Sequence, residues 1–252
     1  MVHFVGAGSG AVDLITLRGK TLLETVDVII YAGSLVNPEL LKFAKPGCEI
    51  HDSAKMTLEE VLEVINRAEK AGKDTVRLHT GDPCLYGAHR EQMDQLIEAG
   101  IEYTVTPGVS SFCGAAAALK AEYTLPDVTQ TVIISRMAGR TPVPERENIR
   151  ALASHGSTMV LFLSTGLIPM LVEELVAGGV YTTETPAALV YKATWPDEKT
   201  FRCTLGTLAQ TAKENNITKT ALITVGDFLG NQYDRSKLYD PTFTTEFREA
   251  TK

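Results

Sequence analysis

Three glycine-bearing segments stand out in the first half of the chain, because each follows a short apolar run. They are Gly6-Ala7-Gly8-Ser9-Gly10-Ala11, Thr80-Gly81-Asp82-Pro83 and Thr106-Pro107-Gly108-Val109-Ser110-Ser111. In an open α/β sheet, ligands bind beyond the carboxyl ends of the strands. If each apolar run is a strand, the three segments are turns at one edge of a sheet. Their spacing predicts that they approach a single ligand through their backbone.

Two phosphate-binding interpretations of such glycines have to be weighed. Residues 6–11 match the G-x-G-x-x-[GA] pattern of dinucleotide sites. Those sites use an acidic residue at the end of the second strand, and residues 30–34, which end the second apolar run, contain none. Residues 19–21 resemble the end of a P-loop, but Leu14 replaces the first glycine of that motif. A structural tight turn is therefore favoured over both interpretations.

The elements that would position these turns alternate between strands and helices. Apolar, β-rich runs predict strands at residues 2–5, 28–31, 75–79 and 102–105. Between the second and third runs, residues 57–60 form a capping box. A helical apolar stripe follows it, made of Leu58, Val61, Leu62, Ile65 and Ala68. This alternation is typical of a parallel sheet with crossover helices.

The second half of the chain repeats the alternation and includes a predicted hairpin. Strands are expected near residues 131–135, 157–163, 187–191, 200–203 and 220–225. Because the run at 200–203 follows a Pro-Asp turn closely, it should pair with 187–191 in a mixed sheet. Residues 120–131 are irregular, so we predict an N-terminal α/β domain over 1–119 and a C-terminal α/β domain over 120–252. Residues 231–252 are polar with scattered aromatics, which indicates an arm lying on the surface.

Composition narrows the possible partners. The chain has 252 residues, 44% of them hydrophobic, which suits a packed core. A net charge of −7 disfavours binding to nucleic acid. The N-terminus does not resemble a secretory signal, and apolar runs are far shorter than the roughly 18–20 residues of a membrane span, so we expect a cytoplasmic protein without membrane association. The four cysteines and five histidines show no metal-ligand spacing, so neither a disulfide framework nor a metal site is expected.

The glycine segments, taken together with strings farther along the chain, resemble a known family. Residues 6–10, 13–16, 80–83 and 107–111 are similar to the tetrapyrrole methylases, which use S-adenosylmethionine. Residues 129–131, 139–144 and 191–198 resemble the branch that methylates C-11 of precorrin-4 or cobalt-precorrin-4 in cobalamin biosynthesis. The resemblance covers nearly the whole chain. It implies a homodimer of two-domain chains, with a mostly parallel N-terminal sheet, a mixed C-terminal sheet and an active-site cleft between the domains.

The resemblance also implies which residues bind the methyl donor, whose product is S-adenosylhomocysteine. The donor-contacting positions would be Ser9, Gly81, Asp82, Leu85, Ser110, Ser111, Leu163, Ala193, Thr220 and Ala221. Leu163 could instead be strand core, and Asp82 could simply shape the turn before Pro83. An anionic tetrapyrrole needs local cations. The candidates are Arg136 and Arg140, since a guanidinium can clamp a carboxylate, with Lys120 and Lys192 behind them. Each of these could equally be a solvated surface charge.

Ala11 departs from the pattern of the family. The common first loop resembles G-x-G-P-G-D-P-D, whereas this chain has Ser9 at the proline position and alanine and valine at positions 11 and 12. In related uroporphyrinogen methylases the first aspartate is a candidate proton acceptor, which alanine cannot be. No catalytic residue is therefore assigned, and catalysis is expected to come from aligning an activated methyl group with a nucleophilic carbon.

Other functions stay open from the sequence. The chain could be another tetrapyrrole methylase, such as a uroporphyrinogen-III methyltransferase, or could methylate a protein side chain, as diphthine synthase does. It could be a dinucleotide oxidoreductase, although the missing acid of the second strand counts against this class. It could also be a non-catalytic module that holds a tetrapyrrole, which Ala11 would permit. Residues 191–198 favour the C-11 branch, and nothing in the sequence says whether the substrate already contains cobalt.

Overall fold

A computed structural model describes residues 1–251, which form two compact units. The first unit contains residues 1–115 together with 192–198, and the second contains 116–191 and the chain from 199 onward. The division after residue 115 falls inside a helix, a few residues before the boundary expected from the sequence. Residues 192–198 connect two strands of the second unit but group with the first.

Within residues 1–251 the elements have the following bounds. The strands are β1 Val2–Gly6, β2 Val28–Tyr31, β3 Glu49–Asp52, β4 Thr75–His79, β5 Tyr103–Thr106, β6 Val132–Arg136, β7 Thr158–Phe162, β8 Pro186–Tyr191, β9 Lys199–Thr204 and β10 Ala221–Val225. The α-helices are α1 Leu17–Thr25, α2 Leu58–Lys70, α3 Arg90–Glu98, α4 Ser111–Leu119, α5 Ile149–Ala153, α6 Ile168–Ala177 and α7 Leu205–Glu214.

The first sheet is entirely parallel, with the strand order β3-β2-β4-β1-β5. Alternate residues of its strands face opposite layers: Phe4 packs with the α2 side, and Val5 packs with Leu23 of α1. Burial of both faces is typical of a parallel sheet covered by helices. The predicted parallel sheet is confirmed. Its edge strand β3 was not predicted, because its sequence Glu-Ile-His-Asp carries a single apolar residue and pairing with β2 defines it.

Helix α2 begins as its sequence predicts. The hydroxyl of Thr57 accepts a hydrogen bond from the Glu60 N–H at 3.3 Å, and the Glu60 carboxylate accepts one from the Thr57 N–H at 2.7 Å. These reciprocal bonds satisfy two N–H groups that a helix start leaves unpaired. The buried face differs slightly from the predicted one, since Val64 is buried and Leu62 is only half-buried.

The second sheet is mixed, in the order β6-β7-β10-β8-β9. Strands β6 and β7 are parallel, whereas the other neighbouring pairs are antiparallel. The predicted hairpin of β8 and β9 is present, with Pro186 paired to Thr204 and Tyr191 to Lys199. The predicted mixed sheet is confirmed. Helices α5, α6 and α7 cover it through a continuous apolar cluster that includes Leu171, Leu175 and Leu208.

Residues 231–251 contain one short 3₁₀ turn, Lys237–Tyr239, and an isolated bridge between Thr245 and Arg248. Most of their side chains are exposed, including that of Phe247. In the described part of the chain, no helix is both long and apolar enough to cross a lipid bilayer.

Candidate active site

The three glycine-bearing segments meet at the carboxyl edge of the first sheet, because β4, β1 and β5 are adjacent and parallel. Gly8 and Gly81 exchange two backbone hydrogen bonds, with N–O distances of 3.2 and 2.9 Å. A Cβ built on Gly108 would lie 2.2 Å from the carbonyl oxygen of Gly81 and 2.8 Å from the Cα of Gly6. Only glycine permits so close an approach, so the three segments pack backbone against backbone.

Asp82 ties the second of these segments to the third. One carboxylate oxygen accepts a hydrogen bond from the Gly108 N–H, and the other accepts one from the Cys84 N–H, each at 2.8 Å. Partial burial alone would raise the pKa of Asp82, but the hydrogen bonds from Cys84 and Gly108 hold that pKa below its usual value. The ionised carboxylate therefore shapes its own turn and fixes the turn after β5.

Residues 192–198 pack against the first segment through Thr194. Its hydroxyl oxygen shares a hydrogen bond of 3.0 Å with the buried hydroxyl of Ser9 and accepts another of 3.0 Å from the Ala11 N–H. The buried Ala193 stands beside it, and a Cβ built on Gly10 would lie 2.9 Å from the Ala193 carbonyl oxygen. Ser9 and Ala193, distant in sequence, are therefore neighbours.

Asn37 supports the same segment. Its buried amide donates a hydrogen bond of 2.8 Å to the Gly10 carbonyl, while its oxygen accepts one from the Glu39 N–H. Sequence reasoning missed this residue. The only local signal was an asparagine followed by Pro38, which begins a short 3₁₀ helix.

The structure brings seven of the predicted donor-binding residues into the first unit. They are Ser9, Gly81, Asp82, Leu85, Ser110, Ser111 and Ala193. The Leu85 N–H donates to the Asp82 carbonyl at 3.3 Å. A Cβ built on Gly81 would stand 3.5 Å from both the Ser110 Cα and the Ser111 nitrogen. That they contact a methyl donor stays a prediction.

Leu163, Thr220 and Ala221 form a second group, in the second unit. Because β7 and β10 are antiparallel, the end of β7 lies beside the start of β10. The Thr165 hydroxyl fixes this contact by donating to the Ala221 carbonyl at 3.0 Å. Leu163 is 65% exposed and has a φ of 52°, so the alternative that it is strand core is wrong.

Three of the candidate cations, Arg136, Arg140 and Lys120, also lie in the second unit, whereas Lys192 lies in the first. The half-buried Arg136 donates hydrogen bonds to the carbonyls of Thr141 at 3.2 Å and Pro142 at 2.7 Å. Arg136 therefore braces its own loop, and its acceptors are neutral carbonyls that leave its charge available. Arg140 and Lys120 are exposed.

Strand β4 contains two buried basic residues, His79 and Arg77, to which the sequence analysis assigned no role. His79 is 3% exposed, and its Nε2 has no hydrogen-bond partner among the described residues. Burial, together with the nearby Arg77 and His89, lowers the pKa of His79 to about 3, so the ring is neutral. Arg77 donates to the Gln92 side chain at 3.0 Å, and burial lowers its pKa to about 10. Over residues 1–251, no group of three acidic, histidine or cysteine side chains could hold a metal ion.

Comparison with known proteins shows the family. The family model of the tetrapyrrole (corrin/porphyrin) methylases matches residues 1–209. This chain belongs to the tetrapyrrole methylases. The resemblance inferred from its glycine segments is confirmed.

Curated relatives of this tetrapyrrole methylase match it over nearly their full length. The cobalt-precorrin-4 C(11)-methyltransferase of Methanocaldococcus jannaschii is 53% identical over 252 residues, which are 100% of this chain and 97% of the relative. The precorrin-4 C(11)-methyltransferase of Sinorhizobium sp is 45% identical, with 98% of each chain covered.

Solved structures support the fold of this tetrapyrrole methylase. The crystal structure of a cobalamin biosynthetic enzyme, cobalt precorrin-4 methyltransferase, matches with a TM-score of 0.88 and 46% identity, over 91% of this chain and 96% of the other. Uroporphyrin-III C-methyltransferase from Thermus thermophilus matches with a TM-score of 0.74 and 27% identity, over 91% and 93%.

Proposed function

We propose that this tetrapyrrole methylase transfers the methyl group of S-adenosylmethionine to C-11 of cobalt-precorrin-4 or precorrin-4, in cobalamin biosynthesis. The products are the corresponding precorrin-5 and S-adenosylhomocysteine. The observation that carries the proposal is the full-length likeness to relatives named for this reaction, at 53% and 45% identity. The 27% identity to a uroporphyrin-III enzyme makes that reaction the second candidate within the fold.

The carboxyl edge of the first sheet fits a nucleoside-containing donor. Gly6, Gly81 and Gly108 pack backbone against backbone at this edge, which brings the three turns close enough to contact one ligand. The Ser9 hydroxyl and the small side chain of Ala193 lie at the same edge. Bound there, S-adenosylmethionine supplies an activated sulfonium methyl group. Asp82 holds two of the turns that would orient it.

The protein's part in catalysis is then chiefly positioning. Holding the attacking carbon, the methyl group and sulfur in line is worth up to roughly 7–11 kcal/mol. Ala11 offers no proton acceptor, and an activated methyl group opposite an electron-rich carbon does not require one at this position. Arg136 and Arg140 would bind carboxylates of the macrocycle, with Arg136 already oriented by its own loop. Lys120 would add a third cation.

We further infer that the chain is a homodimer and works in the cytoplasm. The resemblance to the family supports the first inference, and the biosynthetic role of its relatives supports the second. Light scattering tests the dimer. A mass of 27.3 kDa, that of one chain, at micromolar concentration would contradict it.

The decisive experiment has two steps. Calorimetry compares S-adenosylhomocysteine with NAD, and we expect the first alone to bind, at one site per chain. The protein is then incubated with methyl-labelled S-adenosylmethionine and, separately, with precorrin-4, cobalt-precorrin-4 or uroporphyrinogen III. Mass spectrometry measures the masses of the products. We expect one added methyl group on a precorrin-4 species. Binding of NAD alone would indicate an oxidoreductase. Methylation of uroporphyrinogen III alone would indicate a uroporphyrinogen-III methyltransferase. Binding of the tetrapyrrole without methyl transfer would indicate a tetrapyrrole carrier.

A further inference from the structure

Thr194 adopts a backbone conformation that a β-branched residue rarely takes. Its φ is 68°, in the left-handed region. The side chain of a β-branched residue crowds the backbone there, so such a residue is a genuine outlier. Strained residues of this kind persist only where surrounding contacts over-determine them, and they cluster at functional sites.

Three hydrogen bonds hold Thr194 in this conformation. Its N–H donates to a carboxylate oxygen of Glu198 at 2.6 Å. Its hydroxyl accepts from the Ala11 N–H and shares a bond with the Ser9 hydroxyl, both at 3.0 Å. A single hydroxyl therefore fixes a backbone donor and a side-chain hydroxyl of the loop that follows β1.

The neighbouring residue closes the contact. The indole ring of Trp195 lies against Gly10, and the ammonium of Lys192 stands 5.5 Å from the centre of that ring. Lys192 also forms a 2.6 Å ion pair with Asp197. Contacts among residues 192–198 therefore stabilise this segment, in which Thr194 faces residues 9–11.

We propose that Thr194 is a positioning residue for the methyl donor. Its hydroxyl sets the positions of the Ser9 hydroxyl and of the backbone at Ala11, and the strained backbone aims that hydroxyl. Ser9 is one of the proposed donor contacts, so this inference rests on the proposed function. Loss of the hydroxyl would leave the Ala11 N–H without its partner and free Ser9 to rotate, which should weaken donor binding more than substrate binding.

Three substitutions separate the hydroxyl from the backbone strain. Thr194→Ser keeps the hydroxyl, Thr194→Val keeps the shape without it, and Thr194→Gly removes the hydroxyl while accepting the positive φ without strain. Thr200→Val, on the exposed side of β9, is the matched control for loss of a threonine hydroxyl. Trp195 is the only tryptophan of the chain, so its fluorescence and its quenching by acrylamide report on residues 192–198 alone.

We expect the valine and glycine variants to bind S-adenosylhomocysteine about tenfold more weakly and to raise KM for S-adenosylmethionine, with kcat and the KM for the tetrapyrrole changed much less. Thr194→Ser should restore wild-type affinity, and Thr200→Val should retain it. Acrylamide quenching of Trp195 should rise in the valine variant and fall back in the serine variant.

Wild-type affinity in Thr194→Gly would overturn the inference, and so would a serine variant that binds as weakly as the valine variant. If Thr194→Val fails to fold, the affinity of Thr194→Gly tests the role of the hydroxyl, since glycine removes the backbone strain. A wild-type chain that does not bind S-adenosylhomocysteine would overturn the proposed function and this inference together. Wild-type binding with unchanged affinity in the glycine variant would overturn this inference alone.

Discussion

Gly10 lies against the indole ring of Trp195, so closely that a Cβ built on Gly10 would stand 2.1 Å from Cδ1 and 2.4 Å from Nε1 of that ring. The obstructing atoms belong to a rigid aromatic ring, which can give way only by moving as a whole. Position 10 therefore requires glycine for residues 192–198 to rest on the loop after β1.

Gly10→Ala is expected to push Trp195 away and to weaken binding of S-adenosylhomocysteine by about tenfold or more. Tryptophan fluorescence should show a more solvent-exposed indole, and calorimetry gives the affinity. Gly47→Ala is the matched control. Both glycines have a positive φ, 156° at Gly10 and 80° at Gly47, but nothing lies within 4 Å of a Cβ added to Gly47. If Gly10→Ala binds S-adenosylhomocysteine with wild-type affinity, the contact between Gly10 and Trp195 does not contribute to ligand binding.

Asp82→Asn is expected to loosen the turns after β4 and β5, because an amide offers one acceptor oxygen where two N–H groups need acceptors. We expect a loss of about 1 kcal/mol in the free energy of unfolding at neutral pH, since the site is partly exposed to solvent. Urea unfolding measures it.

The pH dependence of that loss has a definite sign. The pKa of Asp82 is lowered in the folded state, so its stabilisation is present above its ordinary pKa and is lost as the pH falls through the lowered value. The difference between wild type and variant should therefore shrink in acid. A difference that grows in acid would contradict the assigned hydrogen bonds.

Ala193→Phe should block binding of S-adenosylhomocysteine, because Ala193 is buried and a benzyl group would fill the space beside Ser9 and Gly10. Ala193→Gly, which adds no volume, is the control and should bind. Calorimetry of both variants tests the prediction, and an unchanged affinity in the phenylalanine variant would place the donor site elsewhere.

Ala11→Asp tests whether catalysis depends on a base in the first loop. The contact of Ala11 with Thr194 uses its backbone N–H, so the substitution retains the hydrogen-bond donor. We expect the natural chain to methylate precorrin-4 or its cobalt complex, and the variant to change the rate only modestly. A positioned base contributes about 10²–10⁴-fold. If the wild-type chain is inactive and the Ala11→Asp variant is active, the alignment mechanism is wrong.

His79→Phe should make the protein less sensitive to acid. The folded pKa of His79 is about 3, below its ordinary value of 6.5, so the unfolded chain binds a proton between these values when the folded chain does not. The stability contributed by the neutral ring is thus complete above about pH 6.5 and falls on acidification, by up to about 1.4 kcal/mol per pH unit.

Urea unfolding at neutral pH and near about pH 5 measures this slope. His89, whose pKa is also lowered chiefly by burial, and Arg77 face the ring and remain in both proteins, so the difference isolates His79. His155→Gln, at an exposed histidine, is the control. Equal slopes in wild type and His79→Phe would contradict the prediction.

Local patterns were enough to predict much of the fold. The capping box at Thr57 begins α2, and the close succession of β8 and β9 produces the hairpin. Both depend on residues near each other in sequence, whose preferences act without help from the rest of the chain. Edge strand β3 was not predicted, because its own residues have little β-propensity. It is defined instead by backbone pairing with a strand about 20 residues away.

For the candidate site, the sequence by itself determined the three glycine turns and their placement after strands, since glycine spacing and apolar runs are local signals. Only the tertiary structure decided that Thr194 and Trp195 rest on residues 9–11, and that Asp82 bonds to Gly108. Those contacts join residues far apart in the chain. They depend on ångström-scale fits between a ring, a hydroxyl and bare backbone, and these fits exist only once the chain has folded.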